Sequence, residues 1–434
     1  MITPTVPVVA PAAANRELRQ LLAEGLARRY TLRARAEGAE FIVEGVAEPE
    51  RLPTIQSEVG TGIRPVSRPV PAPEAAAAIR VVVERLQLEL EAIEQAGLAA
   101  CFLLVADCAR YGRSIGAACM ARGAAPGSLV NYLLEISTVE PIRHGLIFER
   151  FWNPTRIFPP AIYLDFADDR LESVIEYVRK KLGSNPVAHL VTDLDSDPGY
   201  DLPVLALLGL KALTVLRRTC ERVRQTKGIE VPIDHLPLDD AKTYDLLRSD
   251  DTSGIFEFES GAMPDLCRKL QPSCFAHISA LIAVHYFAPF WPGPTGLIPD
   301  FLARRHGRVR IQFEHPSLKP VMRETYGVLI YQEQMMQVAQ AVAGYTLVGG
   351  DVLRCDMGKK KADEVAQHRI KFVKGAKERN SITASKANRI FDWLEMFSSG
   401  FNKAHATAYA MVAYQTAYLK ANYPVEFLGA MKAT

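Results

Sequence analysis

The sequence predicts an α+β fold that is mostly helical, and three observations carry that expectation. Long stretches repeat apolar residues at helical spacing, and only a few short runs read as strands. The chain has 434 residues, 48% of them hydrophobic, enough for roughly two to four domains around a large core.

Along the chain, residues 15–37 read as a helix with Leu18, Leu21, Leu22, Leu26 and Tyr30 on one face and basic residues opposite. A linker at 60–76 follows, marked by Pro65, Pro69, Pro71 and Pro73. Residues 74–113 predict a long alanine-rich helix and a second apolar segment. Ile157 to Phe166 reads as a strand, Glu172 to Leu182 as an amphipathic helix, and Val187 to Val191 as another strand entering an acidic loop. Residues 203–227 fit either a helix or a strand followed by a helix, because the apolar run Leu202–Leu210 has no deciding period. From 316 onward the pattern is mostly helical, with turns at Gly344, Gly349-Gly350 and Gly400. No internal repeat is visible.

Fifty-one Lys and Arg against 49 Asp and Glu give a net charge of only +2. The positive charge is concentrated: Arg354 to Arg379 holds nine basic and four acidic residues. Such a local patch suffices for nucleic-acid binding, while the competing reading is a solvated helix face. The seven cysteines form no C-x2-C pair, which suggests reduced thiols and a cytoplasmic location. Prolines 4, 7 and 11 break the apolar N-terminus and no run reaches the length of a spanning helix, so neither a signal peptide nor a membrane segment is expected.

Candidate chemistry lies in a few places. Gly358-Lys359-Lys360-Lys361 and Gly400-Phe401-Asn402-Lys403-Ala404-His405 combine glycine, lysine and helix starts, groups that hold phosphates. Asp193, Asp195 and Asp197 alternate as in a calcium loop, but Pro198 stands where the turn glycine belongs and Val204 where the closing Glu belongs, so a solvated loop is the better reading. Asp168-Asp169 suit the start of the following helix. Ser128 after Gly127 suits a helix cap or a phosphate contact. His277, His285, His306 and His405 lack metal spacing, and no nucleophile triad is visible. Tyr409, Tyr414 and Tyr418 recur at helical spacing, as a core stripe or as a stacking surface for bases.

Several motifs together resemble the bacterial DNA polymerase III α subunit, a family C polymerase. Tyr326-Gly327-Val328-Leu329-Ile330-Tyr331-Gln332-Glu333-Gln334, Gly344-Tyr345-Thr346-Leu347, Leu353-Arg354, Met357 to Lys361, Phe401 to His405, Tyr409-Ala410 and Tyr414-Gln415-Thr416 resemble its fingers. Gly127-Ser128-Leu129-Val130 and Phe148 to Pro154 resemble its palm. The likeness runs in order from about residue 77 to the end. It implies a reduced polymerase-β-like nucleotidyltransferase palm with a helical fingers domain. The segments expected are 1–59 N-terminal helical, 60–76 linker, 77–215 palm remnant, 216–300 connection and 301–434 fingers. It further implies that a phosphoesterase-like domain, most of the thumb, and the clamp-binding and oligonucleotide-binding modules are missing; Tyr163 and Ala206 lie much closer than their counterparts in the family.

The resemblance also places the chemistry. Nucleotidyl transfer uses two metal ions held by converging carboxylates. In the family these come from a P-D-x-D-x-D-F strand and an aspartate just before L-G-L. Here the corresponding residues are Ala161 and Tyr163 on the first strand and Ala206 on its partner; only Asp165, the flanking aspartate, is kept. The triphosphate-binding Gly-Ser becomes Gly123-Ala124. Val204, Trp291 and Cys355 replace a lysine and two arginines, Trp291 after a short insertion. The expectation is a catalytically silent relative that needs no metal and binds DNA, as primer-template or single strand, or other replication or repair proteins. Arg122, Gly123, Arg150, Arg354, Lys359, Lys360, Lys361, Asn402, Lys403 and His405 are its candidate contacts. The alternative is an active DNA-directed DNA polymerase using Mg²⁺ on Asp165 with carboxylates relocated from Asp193 or Asp201.

Overall fold

The computed structural model describes residues 10–38, 40–53, 72–156, 159–182, 205–290, 296–397 and 400–434. The fold is α+β and mostly helical, as the sequence predicts. The elements that matter below are α1 (Pro11–Tyr30), β1 (Leu32–Glu37), β2 (Glu40–Val46), α2 (Ala72–Gln95), α3 (Ala99–Ser114), β3 (Cys119–Arg122), α4 (Leu129–Leu133), β4 (Ile162–Phe166), α5 (Leu171–Leu182), β5 (Leu205–Gly209) and α6 (Lys211–Lys227). They are followed by α7 (Phe275–Phe287), α8 (Gln332–Ala343), α9 (Leu347–Gly358), α10 (Ala362–Asn380), α11 (Ala384–Met396), α12 (Lys403–Asn422) and α13 (Pro424–Lys432), with shorter helices between. Packing divides the chain into two compact units, residues 1–242 with 414–434, and residues 243–413.

In the first unit, α1 buries Ala14, Leu18, Leu22, Leu26 and Tyr30, the face expected from their spacing. The helix stops earlier than residue 37. Thr31 adopts a left-handed conformation, and Leu32–Glu37 pairs antiparallel with Glu40–Val46 from Leu32↔Val46 to Glu37↔Glu40. The apolar helical stripe ends at Tyr30, and the β-branched Ile42, Val43 and Val46 favour the hairpin. Gly97, at φ +69°, lies in the break between α2 and α3, whose Val82, Leu86, Leu90, Phe102 and Val105 are buried. α2 begins at Ala72, inside the expected linker. No single helix among the described residues is long and apolar enough to cross a membrane.

β3, β4 and β5 form one sheet in that order, β3 antiparallel and β5 parallel to β4. The parallel pair needs a crossover, and α5 lies between the strands in sequence. Residues 203–227 thus resolve, over the described part, into a strand followed by a helix. The expected strand at Val187–Val191, the acidic loop with Asp193 to Asp201, and Trp291 lie outside the described residues.

In the second unit, α8 packs against α9 and α10, and α10 against α11 through Phe372 and Phe391, whose rings are 5.4 Å apart. Gly344, at φ +73°, ends α8 as its turn signal predicts. Gly349-Gly350 does not form the expected turn. Both residues lie within α9, which Thr346 caps, and a Cβ on Gly350 would sit 3.0 Å from Met336 Cα. That glycine serves the close approach of two helices rather than a bend.

Candidate functional site

The strand alternation of β4 sorts its side chains between two faces. Ile162, Leu164 and Phe166 join Leu205 and Leu207 in the hydrophobic core, and Cys119 and Ala121 lie there too. The opposite face carries Met120 and Arg122 of β3, Tyr163 and Asp165 of β4, and Ala206 and Leu208 of β5. The register aligns Arg122, Tyr163 and Ala206 across the three strands. Gly123, at φ +68°, is close beside them: a Cβ there would lie 3.5 Å from the Tyr163 ring.

Among the described residues, Asp165 is the one carboxylate on this face of the three strands, and it is only 3% exposed. Arg122 Nε lies 3.4 Å from its Oδ1, while Oδ2 is buried without a hydrogen-bond partner among the described residues. Burial pushes the carboxyl up to about 6, against a smaller opposing pull from Arg122. A Mg²⁺ pair takes its oxygen ligands from several converging carboxylates. One buried carboxylate facing a guanidinium, with a phenol and a methyl group on the neighbouring positions, does not fit such a pair. Among the described residues no group of three or more His, Cys, Asp and Glu is arranged to hold a metal ion.

The turns expected to hold phosphate are filled from within the chain. Ser128 caps α4, accepting from the Asn131 N–H. Its hydroxyl donates to Glu89 of α2 at 2.8 Å, and the Leu129 and Val130 N–H groups donate to the same carboxylate at 2.9 and 3.1 Å. Glu89 is fully buried and paired with Arg85, whose Nε lies 2.6 Å away. The helix start that attracts anions therefore has an internal one. Asp168 and Asp169 precede α5 and bind α6, through Thr214 and through Arg217 and Arg218.

The same arrangement recurs at the start of α12, in the second unit. Asn402 Oδ1 accepts from the His405 N–H at 2.8 Å, and Glu333 of α8 accepts from the Lys403 and Ala404 N–H groups at 2.8 and 3.4 Å. The Lys403 ammonium is 2.7 Å from Glu324 and 5.6 Å from the Tyr331 ring centre, and the residue is 9% exposed. His405 lies between Phe401 and Tyr409, at 5.5 and 4.3 Å between ring centres. Arg354 reaches Asp351 at 2.9 Å, and Cys355 Sγ accepts from it.

Lys359, Lys360 and Lys361 form the corner between α9 and α10. Lys361 is 3.0 Å from Asp356, which holds its ammonium above the usual lysine range. Lys359 and Lys360 are exposed and have no ion pair among the described residues. Lys360 takes a left-handed φ of +53°. Three lysines at a helix C-terminus also suit its dipole. Arg150 is half-buried in the turn Phe148–Phe151, where its carbonyl accepts from Arg156 at 2.7 Å. Asn153 is buried and binds Glu149 and Thr155. Tyr409 and Tyr414 are buried, the latter donating to the Pro237 carbonyl.

The structure thus brings Arg122, Gly123, Tyr163, Asp165 and Ala206 together in the first unit. Asn402, Lys403 and His405 meet at one helix start in the second. Sequence reasoning missed Glu89 and Glu333 because buried carboxylates are rare. The apolar neighbours Leu86, Leu90 and Ile93 already placed Glu89 on a core face. It also missed Tyr286, which stacks on Phe401 with ring centres 5.7 Å apart and donates to Glu257 at 2.8 Å.

Two family models match in succession. The bacterial DNA polymerase III α NTPase domain covers residues 17–195, and the bacterial DNA polymerase III α subunit finger domain covers 212–380. The chain belongs to the bacterial DNA polymerase III α family. The first match begins at residue 17, within α1, and takes in the β1–β2 hairpin. The DNA polymerase III subunit α of Thermus aquaticus is 34% identical over 467 aligned positions, covering 81% of this chain and 38% of the relative. That of Escherichia coli K12 is 33% identical over 80% of this chain and 40% of its own length. That of Caulobacter vibrioides is 34% identical with the same coverage. The chain thus spans about 40% of these relatives. The aligned stretch also contains far more positions than the residues it takes up here, so the Thermus relative has sequence that this chain lacks.

Proposed function

We propose that the chain acts in bacterial DNA replication or repair as a DNA-binding relative of the polymerase α subunits that does not polymerise and needs no metal. The observation that carries this reading is the face of the β3–β4–β5 sheet. At the positions that resemble the family's metal ligands stand Ala161, Tyr163 and Ala206, and the retained Asp165 is buried against Arg122. A step that depends on electrostatic stabilisation of the transferring phosphoryl group loses its largest contribution without those carboxylates. The finger region supports DNA binding, because Lys359 and Lys360 present charge at an exposed corner with no ion pair among the described residues.

A primer-extension assay with Mg²⁺ and with Mn²⁺, with Asp165→Ala as control, tests the reading. No extension is expected from either protein. Extension by the parent chain that the substitution abolishes overturns it. In the same preparations, DNA affinity should fall steeply with added salt and depend little on sequence, since phosphate contacts carry no base information. The second reading, an active DNA-directed DNA polymerase, is favoured by similarity to relatives named as such over four fifths of the chain. It requires carboxylates from residues 193–201 beside Asp165.

A further inference from the structure

We infer that the outward face of the later turns of α10, from Lys371 to Lys377, is a track for the backbone of duplex DNA, separated from the lysine corner at Lys359 and Lys360 by Asp363 and Glu364 in the first turn. This deepens the DNA-binding reading and rests on it. Lys371, Lys374 and Lys377 follow one another at three-residue steps, about 4.5 Å of rise and about 60° of turn each, so they form an oblique row on the exposed side of the helix.

The ion pairs around α10 leave this row charged. Asp356 is taken by Lys361, while Asp392 and Glu395 are taken by Arg369, at 2.5 and 2.7 Å. Lys371 lies 4.6 Å from the Tyr345 ring centre, a contact that positions the ammonium without neutralising it. Lys374 is 3.9 Å from Glu378, but both side chains are largely exposed, at 75% and 66%, where such a pair contributes little. Lys377 has no ion pair among the described residues. Ile370, 72% exposed on the same face, offers apolar contact to deoxyribose. The partner that complements closely spaced, strongly hydrated ammonium groups is a phosphodiester chain, which carries one charge per about 1.7 Å of duplex axis.

The test measures binding of a fluorescent duplex between 50 and 200 mM KCl by anisotropy, with circular-dichroism melting to confirm that each variant folds. Each lost phosphate contact lowers the slope of log affinity against log salt by about 0.9. Lys371→Gln/Lys374→Gln/Lys377→Gln should reduce the slope by about 2 to 3, and Lys374→Gln alone by about 1. Lys359→Gln/Lys360→Gln should reduce it independently by about 2. If the corner variant weakens binding while the triple variant keeps the parent slope, the track is refuted and the DNA-binding reading stands. If neither variant changes binding, both fail. Binding of anionic lipid vesicles that the triple variant loses, with the DNA slope unchanged, would also refute the track.

Discussion

Replacing Asp165 by Asn tests whether the sheet face is closed around this carboxylate. Burial holds that group near 6, against an ordinary value of 3.8. The folded chain therefore keeps the proton more tightly than the unfolded one. Stability contributed by the protonated form is present at low pH and is lost as pH rises from about 4 through about 6. A shift of about two units corresponds to about 3 kcal/mol at 1.36 kcal/mol per unit. An asparagine does not titrate, so the stability difference between variant and parent should move in the variant's favour by about 2 to 3 kcal/mol between pH 4 and pH 8. The pH dependence isolates this effect from any constant cost of losing the Arg122 pair. Urea unfolding followed by circular dichroism at pH 4, 5, 6 and 8 measures it. A difference that is flat across this range would show a solvated carboxylate, such as an open metal site presents, and would refute the reasoning.

Three further outcomes follow from the packing. Glu89→Ala should destabilise the first unit by about 3–5 kcal/mol, because it removes the buried ion pair with Arg85 and leaves three donors unsatisfied; equilibrium unfolding measures the loss. Asn402→Ala should cost about 1 kcal/mol as a lost helix cap and leave DNA affinity at low salt within about twofold, measured by unfolding and anisotropy together. Lys403→Ala should lower stability, not the salt slope of DNA binding, since its ammonium is held by Glu324 and not offered to solvent.

The helical faces were legible because burial follows spacing: Leu18, Leu22 and Leu26 lie where a period of 3.6 places them. The β1–β2 hairpin was not, because Leu32-Arg33-Ala34-Arg35-Ala36-Glu37 is short and charged and its pairing depends on residues 40–46. Gly349-Gly350 reads locally as a turn, and only the approach of Met336 from α8 explains it within a helix. Across the sheet, the strand period of two puts Tyr163 and Asp165 on one face, which the sequence alone contains. The burial of Asp165 and its contact with Arg122 depend on strand pairing that sequence spacing does not contain. The helix starts at Ser128 and Lys403 were recognisable as anion sites; that the anions are Glu89 and Glu333 follows from tertiary packing alone.

Titrating the chain with Mn²⁺ in the presence of primer-template and an incoming nucleoside triphosphate, and counting bound ions by electron paramagnetic resonance, addresses the central claim most directly. The closed sheet face predicts no ion beyond those the nucleotide and DNA bind alone, and an identical titration for Asp165→Ala. Two additional ions per chain that disappear in that variant would contradict it.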